Sequence, residues 1–439
     1  MNTINDVLEL VKENDVKFIR LNFCDLFGFQ KNIAIMATEL QSAFENGVSF
    51  DANAVIGFCD VSRSDLLLFP DPSTFAVLPW RPGSGRVARF YCDIKKPDGS
   101  AFSHDSRVLL KRVVERSKKM GYVCKVGVEC EFYLFKTSQE GEPTDITLDK
   151  GGYFDLSPLD RGENIRRELC LMLEEMEIQP EVSHHEQGPG QNEISLKFSD
   201  ALSSANDLQT FKSAVKAIAA RNGLYASFMP KPILNAPGSG LHINLSISEN
   251  EKNIFKHASS GEHSKIAESF IAGILAKTPE ITLFLNPLAN SYERFGKFEA
   301  PQYVSWSHQN RSQLIRIPAS DGEHVRMELR SPDPSLNPYF AFALIISAGL
   351  DGIESNAVLG PAIDEDLHTV SQSVKKSLTR LPESFEKAIA LAEQSDFVKN
   401  TLGEYLFSKY IAFKKTEAAD FAAAKDKAEF YKERYFNTI

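Results

Sequence analysis

Hydrophobic and polar positions keep a short rhythm over the first hundred residues and a longer one after that. The runs 16–23, 32–36, 66–69, 75–79 and 87–93 are rich in aliphatic and aromatic residues and read as short strands. Asp25-Leu26-Phe27-Gly28 turns the first pair, and a polar loop surrounds Phe50-Asp51-Ala52-Asn53. Pro70, Pro72, Pro82 and the glycines Gly83 and Gly85 punctuate the remainder. The pattern predicts a small β-rich domain over 1–100, of ordinary size, ending near the turn Lys96-Pro97-Asp98-Gly99. From Asp105-Ser106 to Gly121 the period becomes helical, with Leu109, Leu110, Val113 and Val114 as the apolar stripe. Helices are expected again over 163–177 and 205–221, the latter stopped by Gly223. Alternating strands lie between them. The segments 338–351, 383–395 and 404–435 carry apolar residues at helical spacing. Strand, long helix, strand in this order predicts an α+β unit over 101–439.

One strand breaks the rule that apolar stretches avoid charge. In Gly127-Val128-Glu129-Cys130-Glu131-Phe132 the period of two places both glutamates on one face and Val128, Cys130 and Phe132 on the other. Adjacent carboxylates repel and resist desolvation, and a divalent cation or a basic partner relieves both costs. A wet strand face explains the segment equally well when it is taken alone.

Four further segments place polar groups where a structural strand does not need them. Ser183-His184-His185-Glu186 and Gln191-Asn192-Glu193 flank a Gly188-Pro189-Gly190 turn that can fold two carboxylates toward one cation, or form a solvated hairpin. His242, Asn244 and Ser246 share a strand face after the loop Gly238-Ser239-Gly240, whose spacing matches no P-loop. A lone strand histidine is more often structural than a ligand. Arg326-Met327-Glu328-Leu329-Arg330 alternates charge with apolar residues, and with Arg311 and Arg316 it concentrates four arginines; Arg294 is a fifth candidate. A surface ion-pair ladder accounts for such a strand by itself. The planar guanidinium fork, however, is the preferred binder of phosphate and carboxylate. Carboxylates with a histidine suit Mg²⁺ or Mn²⁺, arginines suit anions, and the combination points to metal-assisted phosphoryl transfer to an acid.

Composition narrows the partners. The 439 residues are 43% hydrophobic and 25% charged with a formal net charge of −10, which argues against nucleic acid. Six cysteines, all within the first 170 residues, show no CxxC or Cys/His spacing. No signal-peptide pattern precedes the first strand, and the longest apolar run, Tyr339 to Leu350, is too short to span a bilayer. A cytoplasmic protein with free thiols and no membrane association is expected.

Taken in order, these segments resemble glutamine synthetase of the bacterial type I class, from about Val16 to the C-terminal helices. The strings that carry the resemblance include Phe50-Asp51, Gly151-Gly152-Tyr153-Phe154-Asp155, Phe228-Met229-Pro230-Lys231-Pro232, Asn310-Arg311-Ser312 and Arg330-x-Pro332-Asp333-Pro334, besides those already quoted. The resemblance implies an N-terminal β-grasp domain and a catalytic domain built on a curved antiparallel sheet, with active sites shared between subunits of a homododecamer. It implies two cations per site, one held by Glu131, Glu186 and Glu193 and the other by Glu129, His242 and Glu328. Arg294 and Arg330 would clamp the α-carboxylate of L-glutamate, with Gly238 in the adjoining loop. Arg311 and Arg316 would neutralise the transferred phosphoryl group, and Ser246, Arg316 and Arg326 would line the ATP side. Asp51 of a neighbouring subunit would deprotonate ammonium beside Tyr153 and Glu186. Glu299 would close a flap over γ-glutamyl phosphate.

The match has gaps around the acceptor. Ala54 stands where a serine is usual, Pro237 replaces the asparagine before Gly238, Asn244 replaces a histidine, and the segment from Arg294 to Glu299 is one residue short. Ammonia is the expected acceptor, with a small organic amine or polyamine as the alternative and a non-catalytic assembly or regulatory role as a minor one. The tyrosine that some type I enzymes adenylylate aligns near His368, so that modification is expected to be absent.

Overall fold

In the computed structural model, described here for residues 3–439 apart from 82, 256–263, 321–323 and 368, the chain forms two sheets, each with its own hydrophobic core. The His368 expectation lies outside the described residues. The first sheet contains β1 (Val16–Cys24), β2 (Gln30–Met36), β3 (Val48–Asp51), β4 (Asp65–Pro70), β5 (Ala76–Val77) and β6 (Arg86–Lys95). Its order is β2-β1-β6-β4-β3, with β5 on β6, and β1 runs parallel to β6. Ile19, Leu21, Leu68, Phe90 and Ile94 are fully buried in its core, each burial favouring the fold by about 1.5–3 kcal/mol. The expected loop at Phe50-Asp51 is instead the end of β3, because Val48 to Asp51 pair with Leu68 to Asp65. The chain breaks away only at Ala52, where the Asp51 carboxylate accepts the Asn53 N–H at 3.0 Å.

The larger sheet comprises β7 (Tyr122–Thr137), β8 (Pro143–Thr147), β9 (Pro180–His185), β10 (Gln191–Asp200), β11 (Leu224–Ser227), β12 (Leu241–Glu249), β13 (Lys252–Asn253), β14 (Trp306–His308), β15 (Ile315–Ile317) and β16 (Met327–Leu329). Along the main path the order is β14-β15-β16-β12-β7-β10-β9. All of these neighbours are antiparallel except β14 and β15, which makes the sheet mixed at that edge. The long strand β7 lies between β12 and β10, and its two faces have opposite fates. Val126, Val128, Cys130, Phe132 and Leu134 are buried under the helices Ser106–Lys119 and Ala201–Arg221, with Phe132 edge-on to Phe211 at 6.1 Å. The other face carries the glutamates.

Helix Ala201–Arg221 starts four residues before its expected position, because Asp200 caps it by accepting the N–H groups of Leu202 and Ser203. It also ties the two sheets together: Gln209 donates to Gly28 O at 2.9 Å and Thr210 receives Arg89 at 3.0 Å. The apolar run from Tyr339 lies in the helix Pro338–Glu354, which is buried throughout its middle and packs on the helix Lys265–Leu285. Glycines let them touch: a Cβ on Gly273 would stand 2.2 Å from Ala348 O. Among the described residues no helix is long and apolar enough to cross a membrane. The expected helix over 404–435 is Glu404–Ala423 and then Lys427–Tyr431, the second restarted by Asp426 as a new cap and continued by a π-helical turn over Lys432–Phe436.

Candidate active site

Strand register builds the acidic face. Glu129 pairs with His242 on β12 and with Ser195 on β10, while Glu131 pairs with Glu193. On the far side of β12, Asn244 pairs with Glu328 of β16. Four adjacent strands therefore bring Glu129, Glu131, Glu193, His242 and Glu328 to one surface, and the turn after β9 adds Glu186. Ligand atoms of Glu129, His242 and Glu328 lie within 4.8 Å of one another. Glu193 joins two further groups of the same spacing, one with Glu131 and His242, the other with His184 and Glu186. The expected trio of Glu131, Glu186 and Glu193 is thus spread over two overlapping clusters. Oxygen-rich donor sets with one imidazole suit a hard divalent cation such as Mg²⁺ or Mn²⁺.

The electrostatics agree with such an ion. Burial and the neighbouring carboxylates of Glu186 and Glu193 outweigh the attraction of His242 and push the Glu131 carboxyl up to about 8. Glu186 is likewise raised, by burial and by Glu193. Burial also opposes charge on Glu129, yet hydrogen bonds from His242 and from Asn244, the latter at 2.9 Å, hold it down at about 2. His242 lies between them, with Nδ1 at 3.3 Å from Glu129 and Nε2 at 3.9 Å from Glu131, and these carboxylates with Glu328 raise it against burial.

The arginines surround this face. Both oxygens of the buried Glu328 carboxylate are occupied, one by Arg330 and one by Arg316. Arg330 also reaches Glu299 at 3.5 Å, and its Nε donates to Arg311 O at 3.0 Å. Arg294 is buried, donates to Ser331 O at 2.9 Å, and keeps an unpartnered Nε. Burial lowers its pKa, as expected for a cation without a paired anion.

Two cavities lie over the sheet. One of about 270 Å³ is lined by Glu129, Glu131, Glu186, Glu193, His242, Arg294, Arg311, Arg330, Glu299, Tyr153 and Gly238. A neighbouring one of about 140 Å³ is lined by Asn244, Ser246, Arg326 and again Glu129. Asn244 spans the second, accepting from Arg326 Nε at 2.9 Å while donating to Glu129. Aromatic residues in the left-handed region of backbone space stand at the rim of the first, Phe154 at φ 61° and Phe298 at φ 53°. Such conformations persist where surrounding structure enforces them.

Of the residues singled out in the sequence, Glu328, Arg316 and Asp51 line neither cavity; Glu328 lies behind the first, against Arg330 and 3.5 Å from His242, and holds Arg316 on its other oxygen. Asp51 stands exposed on β3, and Ala54 is exposed beside it. The gap residue Pro237 does line the cavity, where its carbonyl accepts the Tyr133 hydroxyl at 2.6 Å. Sequence reasoning left His184, Gln191 and Lys297 without a role. His184 approaches Glu193 at 3.4 Å, and Gln191 donates to Glu131 at 2.8 Å. In the sequence the nearby Glu186 and Glu193 signal the first two, and Glu299 signals Lys297, which pairs with Glu293 at 3.0 Å.

An acid-lined, arginine-rimmed cavity on a curved sheet, joined to a small β-domain, defines an enzyme class that moves phosphoryl groups between anions with the help of divalent cations. Family models sharpen this: the "Glutamine synthetase, beta-Grasp domain" matches residues 15–97 and the "Glutamine synthetase, catalytic domain" matches 103–433. A glutamine synthetase of Clostridium saccharobutylicum is 45% identical, covering 95% of this chain and 96% of its own. One from Methanosarcina mazei is 46% identical over 96% and 95% of the two chains. A solved structure described as "GmaS/ADP complex-Conformation 1" superposes with a TM-score of 0.88 at 30% identity, covering 98% of this chain and 99% of that one. The chain belongs to the glutamine synthetase family.

Proposed function

We infer that the protein is an ATP-dependent ligase that joins ammonia to the side-chain carboxylate of L-glutamate through γ-glutamyl phosphate. One observation carries this: five of the six acidic and histidine ligand candidates line a single cavity with Arg294, Arg311 and Arg330, the sixth, Glu328, lying against Arg330 and His242, in a chain 39–46% identical to glutamine synthetases over nearly its full length. The second cavity, with Ser246, Asn244 and Arg326, is the ATP side in this reading; a solved relative described as an ADP complex supports nucleotide use by a chain of this fold.

Two cations, Mg²⁺ or Mn²⁺, would be held by Glu131, Glu186 and Glu193 and by Glu129, His242 and Glu328. When bound they supply charge neutralisation for the phosphates and the developing acyl phosphate. The chain's residues do the rest. Arg294, with its unpartnered Nε, and Arg330 orient the glutamate α-carboxylate next to Gly238. Arg311 and Arg316 stabilise the phosphoryl oxygens during transfer, a bare carboxylate being a poor acyl donor without activation. Glu299, exposed at the cavity rim and within 3.5 Å of Arg330, is placed to shield the intermediate from water. Ammonium binds beside Tyr153 and Glu186 and gives its proton to Asp51.

Since Asp51 is exposed and does not line its own chain's cavity, it acts in a neighbouring subunit's site, as in a homododecamer with shared sites in the cytoplasm. The test is phosphate release with glutamate and ATP, comparing ammonium with methylamine, ethanolamine and polyamines. Ammonium should give the highest kcat/KM; a clear preference for an organic amine would replace the ammonia reading.

A further inference from the structure

Behind the cavity wall four charged side chains lie almost wholly out of water: Asp149, Asp160, Arg166 and His185. Buried charges persist only where neighbours satisfy them, and here every carboxylate oxygen is satisfied, with Arg166 Nε alone of the cluster's polar atoms left without a partner. One Asp149 oxygen accepts the N–H of Gly151 at 3.2 Å and of Gly190 at 2.9 Å and meets His185 Nε2 at 2.9 Å. The other accepts the Arg161 N–H at 2.9 Å. Asp160 accepts the Gly162 N–H at 2.8 Å and takes both terminal nitrogens of Arg166. Ligand atoms of Asp149, Asp160 and His185 lie within 4.8 Å of one another, the spacing of a cation site. Three of the four carboxylate oxygens, however, are held by backbone N–H groups, which cannot swing away as the arginine side chains on Glu328 can, so the cluster is a hydrogen-bonded lock and not a third metal centre.

What the lock joins gives it a function. Gly151 and Arg161 bracket the loop that carries Tyr153 and Phe154. Gly190 belongs to the turn between Glu186 and Glu193, and His185 immediately precedes Glu186. The second ring nitrogen of His185, Nδ1, lies 2.7 Å from the Glu186 carbonyl oxygen. The packing is tight as well: a Cβ on Gly151 would come 2.8 Å from His185 Nε2. Neither Asp149 nor His185 lines the cavity.

We propose that Asp149 and His185 form a positioning clamp that fixes Glu186 and Tyr153 relative to each other, coupling cation binding at the turn to acceptor binding beside the loop. This rests on the reading in which Glu186 ligates a cation and Tyr153 borders the ammonium pocket. Asp149→Asn turns one acceptor oxygen into a donor that faces N–H donors whichever way the amide lies. The loop and the turn then lose their common anchor.

The test begins with the metal-free, full-length protein and no substrate, titrated with Mn²⁺ and followed by the paramagnetic resonance of the free ion. Outer partners of metal ligands typically set affinity by roughly 10–100-fold, and Asp149→Asn should weaken Mn²⁺ by that factor. At saturating Mn²⁺ the KM for ammonium should rise by a similar factor while the KM for ATP stays within about twofold, a split that general destabilisation does not produce. His185→Gln retains a donor toward Asp149 but not both contacts, and should fall between wild type and Asp149→Asn. If Asp149→Asn shows no cooperative melting transition, His185→Gln decides alone. A folded variant with wild-type Mn²⁺ affinity overturns the clamp. Weakened Mn²⁺ with an unmoved ammonium KM overturns the coupling. Should the wild type show no ammonium-dependent turnover, the functional reading fails while the Mn²⁺ titration still decides the clamp.

Discussion

Stripping divalent cations from the protein should make its stability fall as pH rises from about 4.5 to 8. Glu131 is the main reason. Its carboxyl, ordinarily near 4.5, is raised to about 8 by burial and by Glu186 and Glu193. Between those values the unfolded chain has released the proton that the folded chain still holds, so the folded state binds more protons and loses stability with rising pH. At 1.36 kcal/mol per unit the full displacement is worth about 5 kcal/mol, and charge rearrangement within the cluster brings the expected loss to about 2–5 kcal/mol. The raised carboxyl of Glu186 adds to the same slope. His184, His185 and His242 are also raised, and each contributes stability below 6.5 that is lost as pH climbs through its folded value, again the same sign. Glu129, held at about 2, matters only below this window, where its contribution is lost as pH falls. A chain of this length changes its melting point by about 1 °C per kcal/mol, so the metal-free protein should lose roughly 2–5 °C between pH 5 and 8 from Glu131. Melting curves with chelator and with excess Mg²⁺, for wild type and Glu131→Gln, measure it. Mg²⁺ replaces the proton and should flatten the slope, and Glu131→Gln should flatten it without metal. Identical metal-free slopes in wild type and Glu131→Gln would refute the reasoning.

Glu328→Ala should abolish turnover and lower stability by about 3–5 kcal/mol, because it leaves the buried Arg330 and the part-buried Arg316 without their shared partner. Phosphate release and denaturant unfolding check both, and surviving turnover would remove Glu328 from the cation site. Asn244→Ala removes the bridge between Glu129 and Arg326 and should raise the KM for ATP roughly tenfold or more while that for glutamate stays put. The opposite pattern in initial-rate kinetics would move the nucleotide away from the cavity containing Ser246.

How much of this was visible in the sequence depended on whether a signal was local. The period-two alternation around Glu129 and Glu131 is local, so the strand, its apolar back and its acidic front could all be read directly. The pairing of Glu129 with His242 and of Glu131 with Glu193 is set by strand order, and only the resemblance anticipated it. Helix Lys265–Leu285 contains Pro279, a residue that argues against a helix on sequence grounds; tertiary packing against Pro338–Glu354 carries it through. The early start of Ala201–Arg221 was written in Asp200, a cap residue whose role shows only once its carboxylate turns toward Leu202 and Ser203. Asp149 and His185 were the least legible: each serves partners from several separate segments, and no spacing along the chain marks such a lock.

The position of Glu328 gives the site a working logic. Its carboxylate holds Arg330 and Arg316 on its two oxygens. Those same arginines are the ones proposed for the substrate carboxylate and the phosphoryl group, and Glu328 itself is a proposed cation ligand. For Glu328 to take a cation, at least one guanidinium must share or release an oxygen, and an arriving anion is the partner that makes release favourable. A cation and an anion entering together therefore exchange partners with charges already paired. Either entering alone leaves a buried charge uncompensated, at a cost of several kcal/mol. The binding of metal and of anionic substrate should consequently be mutually reinforcing, a coupling that follows from one buried ion-pair triad and not from any motion of the fold.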